Sequence, residues 1–177
     1  MDIFIIETKD SKNFDINLLK EFRKKEFKNE CKFMEHCFSY LMVDRILSNL
    51  YDISNREIEF LSGKPFLKTR EKYFSISHSE EYIALAFSDK DCGIDIEKIK
   101  ERDFSSISKR MGFKSDSKED FYYEWTKYES EFKLSSPQKY TKQFKYEDYV
   151  ISASTEYQQE KFELYIQNGN NFSNVQI

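Results

Sequence analysis

"CGIDIEKIK", residues 92–100, poses a charge problem on a strand. Ile94 and Ile96 alternate with Asp95 and Glu97, the period-2 pattern of a half-buried β-strand. Side chains two apart point the same way, so one face carries two carboxylates side by side. Solvent would accept that face at no cost. A metal ion would give it a use.

Outward from this stretch, the chain before and after follows one order. "IFIIET" (3–8) is predicted as the first strand. Helical spacing runs over residues 15–29, through Ile16, Leu18, Leu19, Phe22 and Phe27, and again over 32–50, through Phe33, Cys37, Tyr40, Leu41 and Leu47. "REIEFLSGKPFL" brings a strand and a turn at Gly63. "KYFSISHS" (72–79) and "YIALAFS" (82–88) form a hairpin, because the link between them is short. Then "GIDIEKI" opens a second round. A short helix covers 103–111, a long one 117–134, and "DYVISAST" and "KFELYIQ" are strands. The tail "NGNNFSNVQI" (168–177) is polar and expected to be loosely held. The fold class is therefore α+β: two pseudo-symmetric halves, 1–91 and 92–177, each strand-helix-helix-strands, with a cleft between them.

Composition narrows the function classes. The chain has 177 residues, enough for one compact domain or two small halves sharing a core. Its 12 Tyr and 17 Phe exceed what a disordered segment carries. The 28 basic and 32 acidic residues give net charge −4, which argues against nucleic acid as a partner. The apolar run in "MDIFIIETKD" is too short for a signal peptide or a membrane span, and no later stretch is long enough, so the expected location is the cytoplasm, away from membranes. Cys31, Cys37 and Cys92 show no zinc spacing, which fits a reducing compartment. The cluster Lys20, Arg23, Lys24, Lys25 and Lys28 reads equally as a wet helix face or as a surface for an anionic partner.

On the long helix stands "WTKYESEFK", 125–133. Trp125, Glu129 and Lys133 follow i, i+4, i+8 and share one face. Trp125 is expected to pack that helix against the Ile94/Ile96 strand. Glu129 and Lys133 alone would make an ordinary helix ion pair. Combined with Asp95 and Glu97, Glu129 completes three carboxylates, a hard oxygen donor set suited to Mg²⁺, with Mn²⁺ as an alternative. Lys133, one turn on, would meet a phosphate held by that metal. Carboxylates, metal and one lysine are what phosphoryl chemistry uses.

Four pieces in order resemble the 4′-phosphopantetheinyl transferases of the larger surfactin-synthetase-activating type. They are "GKP" (63–65), "FSISHS" (74–79), "GIDIE" (93–97) and "W-T-x-x-E-S-x-x-K" (125–133), and the resemblance covers about residues 55–135. It implies coenzyme A in a cleft between the halves and Mg²⁺ on its pyrophosphate, held by Asp95, Glu97 and Glu129. The phosphopantetheine arm would pass to a serine of an apo carrier protein, an acyl or peptidyl carrier, releasing adenosine 3′,5′-bisphosphate. Glu129 would help deprotonate the serine, and Lys133 would stabilise phosphate charge. His78 would lie near the 3′-phosphate, with Lys64 and Ser77 also on the nucleotide, and His36 where the family often places an arginine. A monomer suffices, since both halves lie in one chain.

Two departures stand out. The family writes Lys-Glu-Ser where this chain has Tyr128-Glu129-Ser130, and Lys127 points about 100° away on the helix. The separation from Asp95 to Glu129 is shorter than in most relatives of this size. Both leave open a degenerate relative that binds coenzyme A or a carrier protein without catalysis. A different metal-dependent phosphoryl enzyme, such as a nuclease, is disfavoured by the acidic charge and by "SISHS".

Overall fold

A computed structural model describes residues 1–15, 29–168 and 171–176. The helix expected over 15–29, with its basic cluster, lies outside the described residues. Two elements lead in: β1 (Asp2–Glu7) and a 3₁₀ turn (Thr8–Asn13). Helix α1 (Glu30–Asn49) follows, capped by Asn29, whose side chain accepts from the Lys32 amide. The strands β2 (Ile58–Leu61) and β3 (Lys64–Leu67) form a small hairpin turning at Ser62 and Gly63, both at positive φ. Next come β4 (Tyr73–Ser79), β5 (Tyr82–Ser88) and β6 (Cys92–Lys98). Helices α2 (Ser105–Met111) and α3 (Lys118–Phe132) precede β7 (Tyr140–Tyr146) and β8 (Tyr149–Thr155). Last are β9 (Glu163–Asn168) and β10 (Asn171–Val175).

Besides the β2–β3 hairpin there are two main sheets. The first has order β10-β9-β1-β5-β4 and the second β6-β8-β7. Helices and sheets are thus mixed, as an α+β chain requires. The sheets are unlike in size because β9 returns to pair in parallel with β1, with β10 antiparallel outside it. The polar tail is therefore partly a strand. Main-chain bonds to a neighbouring strand hold it, which residue polarity does not reveal. β7 was also missing from the sequence reading. Its residues "YTKQFKY" are mostly half-exposed, because it is the outer strand of its sheet.

The first sheet buries both faces, which explains the nearly unbroken apolar runs of β1 and β5. Phe4, Ile6, Phe74, Leu85 and Phe87 pack beneath α1 with Phe38, Leu41 and Leu47. The alternate set, Ile3, Ile5, Ala84 and Ala86, faces the second sheet and meets Ile94, Ile96, Ile151 and Ala153. The strand that opened the reading therefore buries its isoleucines between two sheets. Trp125 does not pack there. It joins a third cluster with Phe121 and Phe113, against α2. The face of α3 turned to the second sheet is instead small and hydroxylic: Thr126 bonds Ser152, and Ser130 bonds Ser154, each at 2.7 Å. Short side chains let the helix settle close on the strands. Gly93 marks the closest approach, where an added Cβ would stand 2.0 Å from the Ser130 carbonyl oxygen.

Candidate active site

The site begins at a seam between β4 and β6, the edge strands of the two main sheets. No main-chain ladder joins them. Ser75, Ser77 and Ser79 alternate on the face of β4 that meets the second sheet. Their hydroxyl oxygens accept from the amides of Ile94 at 3.1 Å, Ile96 at 3.4 Å and Lys98 at 3.1 Å. The constant offset makes the two strands parallel. The small neighbours Ala84 and Ala86, paired with Ser77 and Ser75, leave room for the β6 backbone to approach.

Each hydroxyl also has a proton to give. Ser77 donates to Asp95 Oδ1 at 2.7 Å, and Ser79 to Glu97 Oε2 at 3.1 Å. The two carboxylates on one face of "GIDIE" are thus held by serines of the neighbouring strand rather than spread in solvent. Asp95 is buried, and its Oδ2 has no hydrogen-bond partner among the described residues. Burial pushes its carboxyl above the ordinary value, against the pull of Lys133 and Ser77. Glu97 is raised by burial and then by the Asp95 charge. Glu129, half-buried on α3, is raised by the same two causes, with Lys133 opposing.

Lys133 caps the C-terminus of α3 and turns its ammonium into the seam. It donates to the Ile94 carbonyl at 2.6 Å and to Asp95 Oδ1 at 3.2 Å, and reaches the Ile76 carbonyl of β4 at 3.5 Å. One cation therefore touches both edge strands. It also lines a cleft of about 330 Å³ with Ser77, His78, His36, Tyr40 and Phe60. His78 stands on the β4 face turned to α1, which carries His36. The His36 ring lies 4.9 Å from Tyr40, and Tyr40 lies 6.3 Å from Phe60. A larger hollow of about 770 Å³ opens beyond Lys98, between Glu81, Tyr149 and residues 7–12. It has mixed charge and holds none of these groups.

Four expected residues from three elements, His36 of α1, Ser77 and His78 of β4 and Lys133 at the end of α3, thus meet in one cleft. Pro65 lines it as well, whereas Lys64 does not. The Lys64 ammonium is bonded to Asp91, to the Cys92 carbonyl at 3.2 Å and to the Lys133 carbonyl at 2.6 Å. Among the described residues no three His, Cys, Asp or Glu side chains form a ready-made metal cage. Tyr128 points to the aromatic surface of α3, 6.2 Å from Phe132 and 6.3 Å from Trp125. Sequence reading missed Tyr40, Phe60 and the structural part of the serines. The period-2 serines of "SISHS" were the visible signal for the last.

No family model matches the chain. One curated relative is 39% identical over 66 residues, the 4′-phosphopantetheinyl transferase gsp of Aneurinibacillus migulanus. The aligned stretch is 36% of this chain and 27% of that protein, so it spans about a quarter of the relative's length. The similarity is to a transferase of this type and covers a minority of each chain. No helix among the described residues is long and apolar enough to cross a membrane.

Proposed function

We propose that the chain is a phosphopantetheinyl transferase of the cytoplasm, acting on coenzyme A and an apo carrier protein. The observation that carries this reading is the position of Lys133. Its ammonium touches both edge strands and Asp95 while lining the cleft that holds His36, Ser77 and His78.

The donor set suits Mg²⁺. Asp95 Oδ2 has no partner among the described residues, and the Asp95 charge adds to burial in raising both Glu97 and Glu129, a repulsion a cation would relieve. Asp95, Glu97 and Glu129 would hold it. Bound there, it would neutralise charge on the pyrophosphate. His78 and His36 line the cleft beside Lys133, suited to the nucleotide phosphates. In the reaction the carrier serine oxygen bonds to the phosphorus bearing the pantetheine arm. The bond from that phosphorus to the bridging oxygen breaks, and adenosine 3′,5′-bisphosphate leaves. The serine proton passes to Glu129, directly or through water; burial and then the Asp95 charge raise that carboxylate's affinity for protons above its ordinary value. Lys133 meets the charge that grows on the departing phosphate.

A second reading keeps the binding and drops the chemistry. Tyr128 favours it, since it stands where the family has a lysine and faces away toward the aromatic surface. One experiment separates the two. The protein is incubated with Mg²⁺, coenzyme A and a panel of apo acyl and peptidyl carriers, and the carriers are weighed. A mass gain of one phosphopantetheine is expected on at least one. Coenzyme A binding with every carrier left unmodified would favour the second reading.

A further inference from the structure

We infer that Lys64 and Asp91 are positioning residues for Lys133, a clamp that sets where its ammonium stands. The functional half of this inference rests on the transferase reading above; the structural half does not.

Lys133 lies just past the last turn of α3, where the helix no longer fixes the chain. Two bonds replace it. Lys64 donates to the Lys133 carbonyl at 2.6 Å, and Asp91 Oδ2 accepts from the Ser135 amide at 2.8 Å. Lys64 and Asp91 are themselves joined as an ion pair through Asp91 Oδ1, and Lys64 also holds the Cys92 carbonyl. The Lys133 carbonyl and the amide two residues on are therefore tied to one pair, anchored in β3 and in the turn before β6. Gly93 completes the seat by letting the Ser130 carbonyl come down on β6.

A lysine side chain has many rotamers and sweeps widely unless its root is fixed. Here the root is held and the tip reaches back to Ile94 and Asp95. Lys64 has given its donors to acceptors within the fold, so it brings placement to the site and no free charge. Misplacing a reacting or charge-stabilising group on the order of 1 Å costs about 10²-fold in rate. That is the loss expected when the clamp is cut.

The test uses Lys64→Met, Asp91→Asn and Lys64→Arg in the full chain, with thermal melts to confirm folding. Limiting acetic anhydride followed by peptide mass spectrometry reads the freedom of Lys133 without any activity. Lys133 should be labelled severalfold faster in Lys64→Met and Asp91→Asn, while Lys109 on α2 is unchanged. In transfer assays kcat should fall with KM for coenzyme A preserved, and Lys64→Arg should recover most of the loss. In a Lys133→Ala background, Lys64→Met should cost nothing further, because it acts only through Lys133. If Lys64→Met does not fold, Asp91→Asn keeps the shape and gives the same readouts. Unchanged labelling of Lys133 in the folded variants overturns the clamp. Raised KM with kcat intact makes Lys64 a coenzyme A contact and overturns the positioning role. Wild-type protein that transfers nothing overturns the transferase reading alone, and the labelling still decides the clamp.

Discussion

Gly93 lies directly against Ser130, so that a methyl group on it would stand 2.0 Å from the carbonyl oxygen of the helix and 3.2 Å from Lys133 Cβ. Ser130 belongs to α3 and Lys133 caps it, and the first contact is backbone, which cannot swing aside. Gly93→Ala should therefore lift the end of α3 from β6. Overpacking of this kind costs about 1–3 kcal/mol. Urea unfolding measures the loss, and transfer should drop more steeply than stability, since Lys133 moves with the helix. A variant with wild-type stability would show that the helix end yields freely.

Ser77 gives a second expectation. Its hydroxyl serves Ile96 and Asp95 at once. Ser77→Ala leaves an amide and a buried carboxylate each short of a partner, at a cost of about 1–3 kcal/mol. Ser77→Thr keeps the hydroxyl and should retain most of the stability. Equal losses for both variants would mean that packing, not hydrogen bonding, sets the penalty.

Stability should also depend on pH in a definite sense. The carboxyls of Asp95, Glu97 and Glu129 stand above their ordinary values of 3.8 for Asp and 4.5 for Glu, with burial the first cause in each. The folded state then holds those protons more tightly than the unfolded chain. Their contribution is fully present below the ordinary values and is lost as pH rises through the raised ones. Asp89 and Glu81 are held low by lysine and tyrosine partners and pull the other way. The useful quantity is thus the difference between wild type and Asp95→Asn in chelator, which should grow in favour of the variant from pH 4 to pH 8. Mg²⁺ should raise the Tm of wild type at pH 8 more than at pH 5, and should do little for Asp95→Asn. Indifference of wild type to Mg²⁺ at both values would remove the metal from the proposal.

Lys133 and His78 should fail in different ways. Removal of one electrostatic donor that acts in the transition state costs about 10²–10³ in kcat. Lys133→Ala should show that loss while coenzyme A still binds by calorimetry. His78 is exposed at the cleft, so His78→Ala should chiefly raise KM for coenzyme A. Dephospho-coenzyme A lacks the 3′-phosphate and should be nearly blind to that change. Equal losses on both substrates would detach His78 from that phosphate.

Periodicity made the strands and helices of the interior legible, because burial dictates it. Ile94 and Ile96 announced a half-buried strand; both lie between the sheets, but the other face is covered too, with Asp95 itself buried. The hairpin at Glu80 and Glu81 was written in its short link. What stayed hidden was pairing without burial. β7 and β10 are polar outer strands, and nothing in "YTKQFKY" or "NFSNV" tells which edge they join. Trp125 was misplaced for a related reason. Helical spacing gives a face, but Thr126 and Ser130 take the face against the second sheet, and the larger ring turns to Phe121. At the site, the family resemblance suggested His36, Ser77 and His78 beside Lys133, and the four do meet in one cleft. Lys64 bonds one side chain, Asp91, and two carbonyls, those of Cys92 and Lys133, all distant from it in sequence, and no motif encodes those bonds.

A main-chain ladder is almost indifferent to the genetic text, since nineteen of the twenty residue types supply an amide. The joint between β4 and β6 lacks that immunity. It is spelled by Ser75, Ser77 and Ser79, and each is one codon change away from a residue without a hydroxyl. The tightness of the joint can therefore drift from one descendant to the next while both sheets stay intact. Lineages of this chain should differ first in how firmly their two layers are fastened, and only later in the layers themselves.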